Sequence, residues 1–320
     1  MDNVPQLPAL ELLLARATRK RRIAAGLYPL LFELFAVGGK AGQNLPIAAL
    51  TRLIDDDVRP EGIWMRADPV HLSPGRDGLF LMDSSVFSLT QRESIILTAP
   101  LQQIFAEQGW QFEIPIAKRW YLKMQDYPDV VMTDIGEVAA RNIQPFMPRG
   151  EGSSRWEKLM NDVQMLLHDS EVNHERQEQG KLPINSLWFW GAGQLPEIPA
   201  RQWSALFSDE AVSQGLAMLS GTPFTRLPET ADTVINADNS DSDILVLMTG
   251  MLAYSRYPDI SAWRRAVEKT EQDWFEPLLK ALRDGMVGQL TIFTDNEQFT
   301  IKKTALLKLW KTSKSLLAYT

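Results

Sequence analysis

The stretch that decides the fold covers residues 145–199 and reads PFMPRGEGSSRWEKLMNDVQMLLHDSEVNHERQEQGKLPINSLWFWGAGQLPEIP. From Ser153 onward, apolar residues recur at helical spacing, which predicts a helix that begins after a turn rich in proline and glycine. A polar connection follows, and the apolar run 187–190 then stops at Gly191-Ala192-Gly193. A run that is apolar on both faces indicates a buried strand, and glycines at its end let backbone approach a ligand closely. The stretch therefore predicts an α/β fold with a ligand-binding edge at Gly191 and Gly193.

Two later apolar runs, 243–249 and 289–294, predict further core strands, and a helical pattern at 261–283 lies between them. The order strand, helix, strand at this spacing is typical of a right-handed parallel crossover. We therefore expect these two runs and the 187–190 run to lie parallel in one sheet that is flanked by helices.

Residues 61–124 carry a short-range order of their own: strand, strand, helix and strand. The helix, 90–108, is predicted by Thr90 and Glu93, whose spacing is that of a capping box. We interpret this block as a small inserted α+β subdomain. The remaining residues, 1–60 and 125–320, then form a discontinuous core domain.

The composition is that of an ordinary soluble globular protein. The chain has 320 residues, of which 45% are hydrophobic and 23% are charged, and it has no cysteine. No apolar stretch reaches the roughly 18 residues that a membrane span needs, and the first residues do not have the order of a secretory signal. We expect a cytoplasmic protein without disulfides, thiolate catalysis or Cys-ligated metal.

The formal net charge of −7 argues against a general nucleic-acid-binding protein. Two basic runs stand out, one at 16–22 and one at 302–314. The first fits the basic C-terminal end of a helix. The second has leucines and Trp310 at helical spacing, which predicts a docked amphipathic helix with a solvated basic face. A membrane or nucleic-acid surface is the alternative interpretation of this second run.

Several residues of the 145–199 stretch also match the pattern of a known family. They are Gly150-Glu151, Val172-Asn173, Arg176, Gly180, Pro183, Asn185 and the run from Trp188 to Gly193. This pattern resembles the cofactor-independent phosphoglycerate mutases of archaeal type, which are members of the alkaline phosphatase superfamily. The resemblance implies an alkaline-phosphatase-like parallel sheet core flanked by helices.

A second resemblance covers more of the chain. The segments 7–16 and 66–72, the latter reading RADPVHL, are similar to a small bacterial group of RpfE-type regulatory proteins. This resemblance implies a regulatory role.

The mutase resemblance implies two divalent metals held by Asp and His side chains, and a Ser nucleophile. The chain has three histidines, His71, His168 and His174, and none of them stands where that family places its ligands. The expected Asp-His pair is Asp295-Asn296 in this chain, and the loop 254–259 contains no histidine. We therefore expect that the two-metal site is lost and that no metal is bound. Asp295 is a candidate remnant acid of the catalytic site or a ligand of a single cation, and the alternative is that it caps a turn. A divalent metal such as Mn or Mg is expected only if the protein is an active enzyme.

The candidate ligand-binding residues are taken from the matched motifs. Arginine is the side chain best suited to phosphate or carboxylate, because its planar fork donates two parallel hydrogen bonds. For the arginines the alternative is a surface ion pair, and for the asparagines it is a role in organising turn backbone. The candidates are Arg66, Arg176, Asn173, Asn185, Gly191 and Gly193, with Arg119 and Arg149 as additional possible anion ligands.

These patterns together favour a catalytically degenerate, mutase-like regulatory protein that binds a phosphorylated or carboxylate small molecule. One alternative is an active metal-dependent phosphoglycerate mutase or phosphatase. Another is an adaptor that binds a protein partner through its aromatic and basic surfaces.

Overall fold

A computed structural model describes residues 4–22, 26–38, 44–56, 59–200, 202–237, 242–257, 259–308 and 310–319. The chain divides into two compact units. Unit 1 comprises Met1–Ala36 and Pro199–Thr320, and unit 2 comprises Val37–Ile198. This division differs from the predicted insert at 61–124, because the strand that contains residues 187–190 pairs with the strand that contains residues 63–72.

The elements are numbered in chain order. The helices are α1 (Pro8–Arg16), α2 (Leu27–Leu34), α3 (Ile47–Asp56), α4 (Gln91–Thr98), α5 (Leu101–Glu107), α6 (Ile135–Val138), α7 (Ser153–His168), α8 (Glu171–Glu178), α9 (Ala211–Ser220), α10 (Asp232–Ile235), α11 (Leu252–Arg256), α12 (Ile260–Thr270) and α13 (Glu276–Asp284). The strands are β1 (Thr18–Arg21), β2 (Ile63–Gly75), β3 (Gly78–Met82), β4 (Gln111–Ile116), β5 (Arg119–Met124), β6 (Val130–Val131), β7 (Arg149–Gly150), β8 (Ser186–Gly193), β9 (Ala205–Phe207), β10 (Phe224–Thr225), β11 (Ile244–Val246), β12 (Gln289–Phe293) and β13 (Glu297–Lys302).

Unit 2 is built on one antiparallel sheet of five strands. Its order is β3-β2-β5-β4, and β8 pairs with β2 as well. Strand β2 is long enough to pair with β5 near its start and with β3 near its end, while β8 pairs with it between Trp64 and Val70. This long strand is therefore the element that holds the sheet together.

Strand β8 is buried along its whole length because helices cover the sheet around it. Phe189 packs against Trp156 of α7 and Phe105 of α5, with ring centroids 5.3 and 6.2 Å apart. After Trp190 the register with β2 shifts by one residue, and Gly191 has a φ of +65° there. Such a bulge re-aims the residues that follow it, and left-handed backbone is least costly for glycine.

The glycines at the end of β8 serve the approach of α3. A Cβ atom on Gly191 would lie 2.8 Å from Cβ of Ile47, and one on Gly193 would lie 2.6 Å from Cβ of Pro46. The start of α3 therefore rests directly on the backbone of β8. This contact accounts for the Gly-Ala-Gly sequence without any ligand.

Unit 1 contains two small sheets. Strands β10, β9 and β11 are parallel in that order, and β1, β13 and β12 form an antiparallel sheet. The core beside the second sheet brings Leu13 of α1 together with Leu282 of α13 and Phe299 of β13. Helices α12 and α13 are joined by a π-helical turn, Glu271–Phe275, and the pair ends at Gly285, whose φ is +84°.

The mixed α/β class predicted from the sequence is confirmed, but the expected single parallel sheet is wrong. Strand β8 pairs antiparallel with β2, β11 pairs parallel with β9, and β12 pairs antiparallel with β13. An apolar run reports burial on both faces, and helices on both sides of an antiparallel sheet produce the same pattern as a parallel core. The run therefore carried no information about strand direction.

The prediction from the capping box is confirmed, whereas the helices predicted for the two basic runs are wrong. The capping box at Thr90 and Glu93 is present, and the helix packs on β4 as expected, although it breaks into α4 and α5 at Pro100. The basic run at 16–22 is largely strand β1 rather than the end of a helix. The predicted amphipathic helix near Trp310 is replaced by two 3-10 segments, Lys303–Leu307 and Leu316–Tyr319.

Within the described ranges, no helix combines the length and the apolar composition that crossing a bilayer demands.

The close contact between α3 and β8 can be tested with one methyl group. We expect Gly193→Ala to lower the free energy of unfolding by about 1–3 kcal/mol, because the added carbon forces Pro46 away from the strand. Gly288→Ala is the matched control, since a Cβ at Gly288 meets nothing within 4 Å. Urea unfolding followed by tryptophan fluorescence measures both, and equal stabilities of the two variants would contradict the packing role.

Candidate functional site

Arg66, a candidate anion ligand, is inside unit 2. It is only 6% exposed, and its Nε and Nη2 atoms donate to Oδ1 of Asp68 at 2.9 and 2.6 Å. Its guanidinium also lies over the rings of Tyr121 and Trp190, 5.3 and 5.2 Å from their centroids. The other carboxylate oxygen of Asp68 accepts a hydrogen bond from Nε1 of Trp190 at 2.7 Å. These contacts favour an internal ion pair over a ligand site.

A second ion pair continues this network under α3. Asp55, at the end of α3, accepts from Nε of Arg119 at 2.8 Å and from the hydroxyl of Tyr121 at 2.5 Å. The oxygen of the same hydroxyl lies 2.9 Å from Oγ1 of Thr51, which also accepts from Arg66 at 3.3 Å. Arg119, an additional anion candidate, is therefore also used to fix α3 on the sheet.

Burial dominates the titration behaviour of this network. It raises the pKa of the Asp68 carboxyl, although the charge of Arg66 and the hydrogen bond from Trp190 act in the opposite direction. It also raises the pKa of the Tyr121 hydroxyl far above its ordinary value, so this group stays protonated and donates. A buried carboxylate in this setting depends on its arginine.

The two asparagines of the matched motif bind backbone. Nδ2 of Asn173 donates to the carbonyl oxygens of Leu167 and Ile184, both at 2.7 Å, and Oδ1 accepts from the Ile184 amide at 2.8 Å. Asn185 pairs with the amide and carbonyl of Leu72 in β2, at 2.7 and 2.9 Å. Each side chain thus completes backbone hydrogen bonding where β8 begins, in line with the alternative role in turn backbone.

Arg176 of α8 links that helix to α4. It is 2% exposed, donates from Nε to the carbonyl of Leu182 at 2.8 Å, and pairs through Nη1 with Glu93 at 2.7 Å. Burial acts to raise the pKa of Glu93, but hydrogen bonds from Thr90 and Arg176 outweigh it and hold this pKa below its ordinary value. A ligand-binding role for Arg66, Arg176, Asn173 or Asn185 stays a prediction, and their contacts favour structural roles.

The histidines do not meet at one place. Nδ1 of His71 in β2 lies 2.9 Å from the carbonyl oxygen of Pro183, and burial lowers the pKa of this imidazole. His168 ends α7 and His174 lies in α8, both exposed. In the part of the chain that the structure describes, no group of three His, Cys, Asp or Glu side chains is arranged to hold a metal ion.

Asp295 is exposed in the tight turn between β12 and β13, where the amide of Thr294 donates to the carbonyl of Glu297 at 2.9 Å. It lines a groove of about 420 Å³ together with Asp259, Tyr254, Trp263 and three aliphatic side chains. Asp259 also caps α12, since its Oδ1 accepts from the Ala262 amide at 2.8 Å. This groove therefore brings together two carboxylates, Asp259 and Asp295, and its lining side chains include no imidazole.

A larger cleft lies at the carboxyl ends of the parallel strands β9 and β10. It has a volume of about 520 Å³ and is lined by Asp209, Gln214, Phe224, Thr225 and Arg226. Arg226 is exposed, and no hydrogen bond or ion pair joins it to any residue of the described ranges. Sequence reasoning missed this cleft because β9 and β10 have only three and two residues.

The walls of this cleft are fixed by a buried hydroxyl pair. The Ser208 and Ser213 Oγ atoms lie 2.7 Å apart, and the Glu210 carboxylate accepts from the amides of Val212 and Ser213 at 3.0 and 2.7 Å. Glu210 therefore caps α9 and occupies the helix N-terminus itself. An anion in the cleft would have to use the side chains rather than that terminus.

Comparison with known proteins supports the sequence resemblance. The chain is 28% identical over 137 residues to the "Probable 2,3-bisphosphoglycerate-independent phosphoglycerate mutase" of Geobacter sulfurreducens, covering 42% of this chain and 34% of that protein. It is 26% identical over 176 residues to the 2,3-bisphosphoglycerate-independent phosphoglycerate mutase of Methanosarcina barkeri, covering 53% of this chain and 42% of that protein. The matches thus span less than half the length of these relatives. No family model matches the chain.

Two solved structures resemble this one over 93% of the chain. PH0037 protein from Pyrococcus horikoshii has a TM-score of 0.52 at 11% identity, with 80% of that chain covered. The cofactor-independent phosphoglycerate mutase from Thermoplasma acidophilum has a TM-score of 0.43 at 17% identity, with 82% covered. The first of these is a likeness of fold alone. By sequence, the chain is similar to cofactor-independent phosphoglycerate mutases.

The internal role of Arg66 gives a sharp stability prediction. We expect Arg66→Met to lower the free energy of unfolding by about 3–5 kcal/mol, because it leaves the Asp68 carboxylate buried without its partner. Adding Asp68→Asn should restore part of the loss, since the amide carries no charge and still accepts from Trp190. Arg92→Met, at an exposed position of α4, is the control. Denaturant titration measures the free energy of unfolding of each variant. A loss of stability in Arg66→Met no larger than that in Arg92→Met would contradict the role of the Arg66–Asp68 pair in stability.

Proposed function

We propose that this chain is a regulatory relative of the phosphoglycerate mutases that binds a small phosphorylated or carboxylate compound without catalysing two-metal phosphoryl transfer. The observation that carries the proposal is Arg226, which lines the cleft at the ends of β9 and β10 and makes no hydrogen bond or ion pair to the described residues. In parallel α/β sheets this edge is where ligands collect. A guanidinium that makes no hydrogen bond to the described residues can offer both sides of its planar fork to an anion.

The remaining side chains of the cleft suit a small hydroxylated anion. Gln214 and Thr225 offer an amide and a hydroxyl, and the Asp209 carboxylate accepts hydrogen bonds. A compound that carries a phosphate or carboxylate at one end and a hydroxyl at the other can bind to Arg226 and Asp209 at once. Asp209 would repel a second anionic group placed beside it. The cleft therefore favours a ligand that has its anionic group at one end and a hydroxyl at the other.

The donor set of the chain does not fit the metal pair that the family resemblance implies. Asp259 and Asp295 share one groove, and the side chains that line it include no imidazole. Two carboxylates suit one hard cation, whereas the expected sites need nitrogen ligands as well. The regulatory role is supported by the resemblance of segments 7–16 and 66–72 to RpfE-type proteins.

The competing function is that of an active phosphoglycerate mutase or phosphatase, and the names of the relatives favour it. Their matched regions cover 34% and 42% of those proteins, so their activity is not transferred to this chain. The purified protein, assayed with manganese, magnesium, cobalt or zinc on 2- and 3-phosphoglycerate, should show only background turnover. Metal-dependent turnover that disappears in Asp295→Asn would contradict the proposal and establish the enzyme.

Ligand binding is tested at the cleft itself. Calorimetry should detect saturable binding of glycerol 3-phosphate, which carries one phosphate and a hydroxyl at the other end, and Arg226→Gln should weaken it about 10–100-fold, the value of a charge-assisted hydrogen bond of 1.5–3 kcal/mol. Arg265→Gln is the matched control, because Arg265 is an exposed arginine of α12 in the same unit. Equal affinities of the two variants would contradict the site. Absence of both binding and turnover would favour the protein-binding adaptor.

A further inference from the structure

Two basic segments that are almost 300 residues apart in sequence come together in unit 1. Strand β1 pairs with β13 from Thr18 opposite Thr300 to Arg21 opposite Glu297. Beyond β13 the chain returns to the same place, where Nη1 of Arg16 donates to the carbonyl of Leu306. Nζ of Lys311 donates to the carbonyl of Ala17 at 3.4 Å. The segments 16–22 and 302–314 therefore form one continuous surface.

This basic surface carries a concentrated positive charge. It contains Arg16, Arg19, Lys20, Arg21, Lys302, Lys303, Lys308, Lys311 and Lys314. Neither 16–22 nor 302–319 contains an Asp or Glu, although the whole chain has a net charge of −7. The Glu297 carboxylate in β13 is already paired with Arg19 at 2.6 Å. Most of these basic side chains face solvent, and within the described ranges the pair of Arg19 with Glu297 is the one ion pair that involves them.

Large apolar side chains project from the same surface. Leu307, Trp310 and Leu317 are 75%, 77% and 52% exposed. Neighbouring residues hold the segment in place, since Leu306 is buried in the unit 1 core and the Tyr319 ring packs edge-on against Phe299 at 6.0 Å. The exposed side chains are therefore presented by an anchored segment rather than by a free chain.

We propose that the basic surface binds membranes that contain anionic phospholipid. Lysines at a bilayer surface are attracted to acidic headgroups, each contributing about a five-fold gain in partitioning, while tryptophan prefers the headgroup level and leucine the acyl boundary. Nucleic acid would use the lysines, but it offers nothing that rewards two exposed leucines. The acidic remainder of the protein does not prevent membrane contact, because charges farther than a Debye length of about 8 Å are screened.

Vesicle flotation tests this surface with the full chain. The protein should float with vesicles of phosphatidylcholine containing 30% phosphatidylglycerol, and not with pure phosphatidylcholine. We expect Lys303→Gln with Lys314→Gln to lower the partition coefficient about 25-fold. Lys158→Gln with Lys181→Gln, which changes the net charge equally at exposed positions of unit 2, should leave it unchanged. Equal binding to both vesicles, or an equal loss in both pairs, would overturn the proposal.

Depth of insertion gives an independent measurement. Brominated acyl chains should quench part of the protein fluorescence, and this part should be absent in Trp310→Phe, which keeps an aromatic side chain and should still bind. Leu307→Ser should weaken binding, whereas Met165→Ser, at a residue 71% exposed on α7, should not. Quenching that is unchanged in Trp310→Phe would overturn the proposed orientation. Binding to an oligonucleotide but not to vesicles would overturn the proposal in favour of a nucleic-acid surface.

Discussion

The buried pair of Arg66 and Asp68 is the interaction on which the architecture of unit 2 depends. It places opposite charges on β2, the strand that joins β3, β5 and β8 into one sheet. The guanidinium also reaches Thr51 of α3, while the carboxylate reaches Trp190 of β8. Charges removed from water are tolerated only when their partners satisfy them, so α3, β2 and β8 are obliged to adopt one mutual arrangement.

Much of the sequence that resembles the mutases is used in this arrangement and in its surroundings. Asn173 and Asn185 complete backbone hydrogen bonds at the start of β8, and Arg176 joins α8 to α4. Gly191 and Gly193 have no Cβ and so allow α3 to pack closely against β8. A motif of this kind can be preserved by folding requirements alone. Similarity concentrated in it is therefore weaker support for shared catalysis than for a shared framework. Arg226, which has no hydrogen bond or ion pair to the described residues, lies instead in unit 1, where it lines a cleft.

What the sequence predicted correctly depended on local chemistry. The capping box at Thr90, the start of α7 at Ser153 and the end of the helical pattern 261–283 all rest on interactions within a few residues. Strand direction depends on pairing partners that lie far along the chain. The prediction of a single parallel sheet was wrong because the sequence pattern does not identify those partners. The Arg226 cleft was missed because strands of two or three residues leave no periodic signal. The contact between the two basic segments was missed because it depends on the pairing of β1 with β13, across almost the whole chain.

The central claim is that the arginines of the matched motifs are internal, whereas Arg226 is the one that meets a ligand. The most direct measurement is an NMR titration that follows the arginine Nε–Hε signals as glycerol 3-phosphate is added. The account predicts that the Arg66 and Arg176 signals are protected from solvent exchange and do not shift, while the Arg226 signal moves with a saturable dependence on ligand. Shifts of Arg66 or Arg176 that follow the same binding curve, with Arg226 unmoved, would contradict it.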